Sequence, residues 1–169
     1  VELIGIQTIN AEIELLSLLI ESLNIIEIDQ KYKTTLLIGN TYLMKLILTS
    51  FESNYINKIK SILSELDFIE LDKLPINDEQ KLFIKKIMYT RGEPYKVLSY
   101  LKSIYGSNNH LNSLEDLFTI IKPLANDKGI DIQLDPTLGT KYKLYSGLTF
   151  ELISYASSAP VVIAKGGRY

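Results

Sequence analysis

Two short stretches of sequence decide the fold of this chain: Lys143-Leu144-Tyr145-Ser146-Gly147-Leu148-Thr149-Phe150-Glu151 and Ala164-Lys165-Gly166-Gly167-Arg168-Tyr169. The first stretch is typical of a β-strand in which Gly147 permits a close backbone approach or a bulge. The second is typical of a strand end, where Gly166 and Gly167 predict a turn. Such a turn lets the guanidinium of Arg168 reach an anion or a carboxylate in a fork geometry. Hairpin glycines and one surface arginine would explain the same residues.

The neighbouring residues predict several consecutive strands. Ile130–Leu134 alternates between apolar and polar side chains, and residues 142–155 alternate in patches, as a hairpin or bent strand would. Pro160–Ala164 reads as one more buried strand. Because consecutive strands with short turns form an antiparallel sheet, the predicted fold class is α+β rather than a doubly wound parallel fold.

The first third of the chain predicts two further strands with a helix between them. The strands are Val1–Ile6 and Thr34–Ile38, the second apolar enough to be buried on both faces. Thr8 or Asn10 offers the N-cap of the helix, which is expected to end near Asn24.

The middle of the chain, about residues 41–128, predicts a helical segment. The expected helices cover about 41–51, about 54–66, from an Asn77 or Asp78 cap to about Met88, about 94–104, and from Ser113 to a C-cap at Gly129. Pro123 lies within the last helix and predicts a kink or an early end. We expect residues 1–169 to form one unit that contains this helical segment.

The composition excludes several classes of protein. The 169 residues carry a formal net charge of −2, which argues against a long nucleic-acid backbone as ligand, so tRNA is not an expected partner. With no cysteine and a single histidine, neither a thiolate nor a histidine-rich metal site is expected. We expect His110 to be a solvated loop residue. No apolar run approaches the roughly 20 residues of a membrane helix, and a cytoplasmic protein is expected.

The two terminal stretches resemble signatures of the histidyl-tRNA synthetase family, a class II aminoacyl-tRNA synthetase family. Residues 143–151 are similar to the end of its histidine-recognising strand, Arg-Gly-Leu-Asp-Tyr-Tyr-Thr-Gly-x-x-Phe-Glu, and residues 164–169 to the Gly-Gly-Gly-Arg-Tyr-Asp of motif 3. Residues 1–5 resemble the end of motif 2, and residues 11–14 resemble the start of the helix that follows it. The resemblance implies a class II synthetase-like core fragment, from the end of motif 2 to the start of motif 3.

The resemblance also implies site residues. Glu2 matches a glutamate that accepts a hydrogen bond from the imidazole of the substrate, and Tyr145 matches a tyrosine that contacts the same ring. Gly147 matches a framework position beside them. Gly166, Gly167 and Arg168 match the motif in which the arginine binds ATP phosphate, an anion site.

The departures from the family pattern imply lost catalysis. Thr140 stands at the position of the catalytic arginine, and Leu144 replaces the first tyrosine of the Tyr-Tyr pair. Losing one preorganised cation at a developing charge typically costs on the order of a hundred- to a thousandfold in rate. The pattern resembles the non-catalytic branch of the family, the regulatory subunits of ATP phosphoribosyltransferase, and Arg91-Gly92-Glu93-Pro94 resembles a tetrapeptide frequent in that branch.

The resemblance therefore implies a subunit without cofactors or catalytic residues of its own. It implies a short-form catalytic subunit of ATP phosphoribosyltransferase as partner, a homodimer within the assembly and histidine as a ligand. Two alternatives remain open. A working histidyl-tRNA synthetase could use Lys141 or Lys143 as the missing cation, and an interaction module could merely pack the old pocket.

Overall fold

The computed structural model describes residues 1–23, 32–138 and 144–169. In chain order its elements are α1 (Ile9–Ser22), β1 (Thr34–Asn40), α2 (Thr41–Leu48), α3 (Ile56–Glu65), α4 (Phe68–Lys73), α5 (Asp78–Tyr89), α6 (Pro94–Tyr105), α7 (Asn109–Asp127), β2 (Ile130–Leu134), β3 (Leu148–Ser154) and β4 (Val161–Gly167).

The described strands form one mixed sheet in the order β2-β1-β3-β4. β1 pairs antiparallel with β3, and β3 pairs antiparallel with β4. The prediction of an antiparallel sheet is wrong for the third pair of strands, because β1 and β2 run parallel. This pairing is parallel because the long helical segment from α2 to α7 returns the chain to the end of the sheet where β1 began. The α+β class predicted from the sequence is confirmed.

The buried side chains form a core between the sheet and the helices. β1 and β3 lie in the centre of the sheet and contribute fully buried side chains such as Leu36, Ile38 and Leu152. Helix α1 lies against α7, and α6 and α7 lie against β2. Phe118 of α7 is the largest of the fully buried side chains of this core. None of the described helices is long and apolar enough to cross a membrane.

Most predicted elements are present, with shifted ends. Thr8 occupies the N-cap of α1, although its side chain makes no capping hydrogen bond. The predicted end of this helix near Asn24 lies outside the described residues. At α5, the Asn77 side chain accepts from the backbone N–H of Gln80, and the side chain of Gln80 accepts from the backbone N–H of Asn77, a complete capping box.

The strand predicted at Val1–Ile6 is wrong. Residues 1–7 have no regular secondary structure, and most of them are exposed. Apolar β-prone residues form a strand only where a neighbouring strand satisfies their backbone groups. Within the described part of the chain no strand lies beside this segment.

The last helix begins earlier than predicted, and it ends at Asp127 with Lys128 as C-cap, one residue before the predicted stop at Gly129. Asn108 caps α7 by accepting from the backbone N–H groups of His110 and Leu111. His110 therefore lies in the first turn of a helix rather than in a loop. The helix also continues through Pro123 to Asp127, so the early end predicted there is wrong. Pro123 and Thr119, whose carbonyl loses its helical partner, are exposed, so water can replace the missing hydrogen bond.

The tetrapeptide Arg91-Gly92-Glu93-Pro94 joins the helical segment to the sheet. Gly92 forms an isolated antiparallel bridge with Leu134, through hydrogen bonds of 3.1 and 2.8 Å between their backbone groups. Its φ of 126° is a conformation that favours glycine. Glu93 then caps α6, with Pro94 in the first turn.

Candidate functional site

A cleft of about 880 Å³ lies between α1, the segment of residues 1–7 and the β3–β4 end of the sheet. Apolar side chains of α1 form one wall, and the ends of β3 and β4 form the other. Its lining includes Glu2, Glu12, Tyr145, Gly166, Gly167 and Arg168. The cleft thus brings both ends of the chain to one place, and five of the six predicted site residues line it.

Glu2 and Tyr145 reach this cleft from opposite ends of the chain. Glu2 is exposed on the irregular segment that precedes α1, and Tyr145 is half-buried in the turn that precedes β3. Gly147 does not line the cleft. Its carbonyl accepts from the backbone N–H of Thr41 at 3.0 Å, so this glycine connects the turn before β3 to the start of α2.

The signature glycines make room for side chains of the opposite signature. A Cβ atom on Gly166 would lie 2.7 Å from the ring of Phe150, its cross-strand neighbour. A Cβ atom on Gly167 would lie 2.8 Å from the ring of Tyr145 and 2.9 Å from the carbonyl oxygen of Leu148. Real Cβ atoms do not approach so closely, so each ring occupies space that only glycine leaves free.

The turn predicted at these two glycines is therefore wrong. Gly166 and Gly167 continue β4, and they pair with Phe150 and Thr149 of β3. Two adjacent glycines usually mark a turn, but here aromatic rings cover the faces that their missing side chains leave open. Gly147 also leaves space for a side chain of the other stretch, because a Cβ atom there would lie 2.9 Å from Cδ of Arg168.

Arg168 makes four hydrogen bonds inside the cleft. Its Nε and Nη2 atoms donate to the two carboxylate oxygens of Glu12, each at 2.6 Å. Nη1 donates to the carbonyl of Ile6 at 3.1 Å, and Nη2 also donates to the carbonyl of Thr8 at 3.0 Å. The hydrogen bond to Glu12 raises the pKa of Arg168 above its ordinary value, against the opposing effect of burial.

The sequence allowed the Arg168 guanidinium either an anion or a carboxylate as partner, and the structure supplies a carboxylate. The side chain of Glu12 is only 11% exposed and that of Arg168 26% exposed, so solvent screens their ion pair little. A guanidinium has five N–H donors. An added anion would therefore find one free N–H or would have to displace Glu12.

Other chemically active side chains lie away from the cleft. His110 stacks on Tyr42, with ring centroids 3.9 Å apart. Asp135, which is not among the predicted site residues, is buried after β2, and one of its carboxylate oxygens accepts from both the backbone N–H and the hydroxyl of Thr137. Its position before Pro136, with a threonine two residues on, is the signal of such a turn. Among the described residues, no three metal-ligating side chains are grouped to hold a metal ion.

The residues that decide the catalytic question are not in the described structure. Thr140, Lys141 and Lys143 lie outside the described residues. The replacement of the catalytic arginine by Thr140 therefore stays an expectation from the sequence resemblance. Leu144, which replaces the first tyrosine of the pair, is described; its side chain is exposed and lines the cleft.

Comparisons with known proteins agree with the sequence resemblance. The family model described as histidyl-tRNA synthetase matches residues 1–169. An ATP phosphoribosyltransferase regulatory subunit from Prochlorococcus marinus (strain NATL2A) is 69% identical over 100% of this chain. The match covers 43% of that relative, so the chain spans less than half the length of the curated relatives that it matches.

Solved structures show the same fold. An ATP phosphoribosyltransferase regulatory subunit/histidyl-tRNA synthetase from Bacillus halodurans superposes with a TM-score of 0.79 at 18% identity, over 99% of this chain and 44% of that one. A chain of the ATP phosphoribosyl transferase (HisG:HisZ) complex from Thermotoga maritima superposes with a TM-score of 0.69 at 18% identity, over 95% of this chain and 56% of that one. The signatures, the fold and the family model agree, and the chain belongs to the histidyl-tRNA synthetase family.

Proposed function

We propose that this chain is part of a non-catalytic regulatory subunit of ATP phosphoribosyltransferase, which acts in the cytoplasm in the first step of histidine biosynthesis. The observation that carries the proposal is the 69% identity, over the whole chain, to a protein named as such a subunit. The partner is then a short-form catalytic subunit, which joins ATP to phosphoribosyl pyrophosphate. We expect the regulatory subunit to enter the assembly as a homodimer.

The absence of synthetase chemistry belongs to the same proposal. Adenylate formation develops negative charge at the α-phosphate, and a fixed cation there supplies a large part of catalysis. Thr140 brings a hydroxyl to the position where the family signature has an arginine. A neutral hydroxyl cannot neutralise that charge, which supports a role in binding and regulation.

The cleft is the proposed site for a histidine ligand. Glu2 would accept a hydrogen bond from the imidazole, and Tyr145 would contact the ring from the opposite wall. Gly147 would fix the turn that carries Tyr145, because its carbonyl bonds to the start of α2. The anion part of the site, at Gly166, Gly167 and Arg168, has one unused guanidinium N–H available to the carboxylate of histidine.

The activity of the assembled enzyme tests this proposal. We expect the short-form catalytic subunit to form phosphoribosyl-ATP faster with the complete protein than without it. We also expect histidine to inhibit the assembled enzyme, and the Glu2→Ala variant to weaken that inhibition while leaving the stimulation intact. A complete protein that neither binds nor stimulates the catalytic subunit would refute the proposed function.

The second candidate is a catalytically active histidyl-tRNA synthetase. The family model and the double name of the Bacillus halodurans structure favour it. Histidine-dependent exchange of pyrophosphate into ATP distinguishes the two functions, and we expect none above background. A third candidate, an interaction module with a packed pocket, predicts that Glu2→Ala leaves the histidine response of the assembled enzyme unchanged.

A further inference from the structure

Glu12 is the most buried carboxylate of the cleft, and both its oxygens are used. It lies in the first turn of α1, and its side chain is 11% exposed. The bidentate pair with Arg168, at 2.6 Å for each oxygen, joins this turn to the residue that follows β4. The backbone of Arg168 is fixed as well, because its N–H donates to Leu148 and its carbonyl accepts from Ser146, each at 2.8 Å.

The same guanidinium holds the segment that carries Glu2. Nη1 and Nη2 donate to the carbonyls of Ile6 and Thr8. These two hydrogen bonds join residues 1–8 to the residue that follows β4. Since no strand of the described residues pairs with this segment, its position depends on how Arg168 is oriented.

A carboxylate at position 12 is what orients Arg168. A guanidinium is planar and matches a carboxylate through two parallel N–H groups, so the bidentate pair fixes the plane of the fork. Two of the three remaining N–H groups then donate to the two carbonyls. Because burying an unpaired charge is costly, we expect the guanidinium to turn toward solvent and release both carbonyls when the negative charge is removed.

We propose that Glu12 is a positioning residue of the cleft: it orients Arg168, and through Arg168 it holds residues 1–8 so that Glu2 faces the wall that carries Tyr145. The effect on the ligand rests on the proposed histidine site. The effect on residues 1–8 does not, because it follows from the hydrogen bonds alone.

The test compares two isosteric changes on one helix in the complete protein. Glu12→Gln keeps the size of the side chain but removes its charge and one acceptor. Glu14→Gln makes the same chemical change two residues further along α1, at an exposed residue that does not line the cleft. Amide hydrogen exchange of residues 1–8 is measured for both variants, together with histidine binding by calorimetry and the melting temperature.

We expect Glu12→Gln to accelerate exchange in residues 1–8 and to weaken histidine binding by about tenfold or more, the effect of losing one charge-assisted hydrogen bond. Glu14→Gln is expected to change neither. Arg168→Lys keeps the charge but not the fork, and we expect it to behave like Glu12→Gln. It provides the same test if Glu12→Gln does not fold.

A double variant separates positioning from a general loss of stability. If Glu12 acts through the placement of Glu2, then Glu2→Ala weakens histidine binding in the parent protein and has little further effect in the Glu12→Gln background. Additive effects of the two changes would overturn the positioning role. Unchanged exchange of residues 1–8 in both Glu12→Gln and Arg168→Lys would overturn the whole inference. If the parent protein binds no histidine, the proposed ligand fails, while hydrogen exchange still decides the role of Glu12.

Discussion

At the scale of single residues, side chains of each terminal stretch pack against glycines of the other stretch. Gly166, Gly167 and Gly147 are glycines because Phe150, Tyr145 and the Arg168 side chain occupy the space where their Cβ atoms would lie. None of these three positions has a positive φ that would require glycine. Their small size is therefore used for packing rather than for turn formation.

Adding a methyl group at these glycines tests this interpretation. We expect Gly166→Ala to lower the free energy of unfolding by about 1–3 kcal/mol, the usual cost of overpacking. Combining it with Phe150→Leu removes the ring that the new methyl group meets, so the pair is expected to cost less than the sum of the single changes. Urea denaturation measures both effects. Additive costs would show that the contact between the ring and Gly166 is not the cause.

The sequence reveals the identity of these residues but not their partners. The resemblance brought Glu2, Tyr145 and Arg168 into one site, and the structure places all three along one cleft. Glu12 was visible only as part of a resembling stretch. Its pairing with a residue 156 positions away has no local signal, since nothing near Glu12 in the chain indicates where Arg168 lies.

At the scale of elements, local capping signals predict helix starts well and proline predicts helix ends poorly. Asn77 and Pro94 lie at the starts of α5 and α6, where the sequence analysis expects helices to begin. Pro123 lies on the exposed side of α7, while Phe118 and Ile121 on the opposite side are fully buried. Burial of one face therefore outweighs the lost hydrogen bond, and this balance depends on tertiary packing that the sequence does not show.

Replacing the proline should stabilise α7. We expect Pro123→Ala to restore the hydrogen bond to the carbonyl of Thr119 and to raise the free energy of unfolding by about 1–2 kcal/mol, after the gain in unfolded-state entropy is subtracted. Asn126→Ala, on the exposed surface near the end of the same helix, controls for helix propensity alone. Thermal unfolding followed by circular dichroism measures both. A lower melting temperature for Pro123→Ala would mean that the proline shapes the packing of α7.

The ion pairs of α3 and α4 give the protein a specific response to acid. Hydrogen bonds from Lys58 and Lys73 lower the pKa of Glu70 from 4.5 to about 2. A carboxylate with a lowered folded-state pKa contributes stability above its unfolded pKa and loses it as the pH falls toward the folded value. The stability that Glu70 supplies is therefore lost between about pH 4.5 and about pH 2.

The variant Glu70→Gln isolates this contribution. We expect it to flatten the fall in stability between pH 4.5 and pH 2, measured by urea denaturation at a series of pH values. Glu79→Gln, at an exposed carboxylate in the first turn of α5, is the control. An unchanged pH profile in Glu70→Gln would show that the pair is screened by solvent, as many exposed ion pairs are.

At the scale of the whole molecule, the core is continuous from the sheet to the helices. Buried side chains of α1, β1, α3, α5, α7 and β3 belong to one cluster, which includes the fully buried Phe118. The sequence predicted the elements of this cluster and the α+β class from local periodicity. It did not predict the parallel β1–β2 pairing, because strand order is set by contacts between residues far apart in the chain.

A cavity in this core should weaken all of its elements together. We expect Phe118→Ala to lower the free energy of unfolding by about 3–5 kcal/mol. We also expect unfolding curves from circular dichroism and from tyrosine fluorescence to coincide in both parent and variant. Two separate transitions would show that the helical segment unfolds independently of the sheet.

The bridge between Gly92 and Leu134 constrains how the molecule can move. Two backbone hydrogen bonds tie the start of α6 to the last residue of β2, next to the buried turn at Asp135. A rigid-body displacement of α6 must either break these bonds or pull the end of β2 with it. A displacement of α6 would therefore move the edge strand β2. A protein that docks against α6 would strain the turn that follows β2.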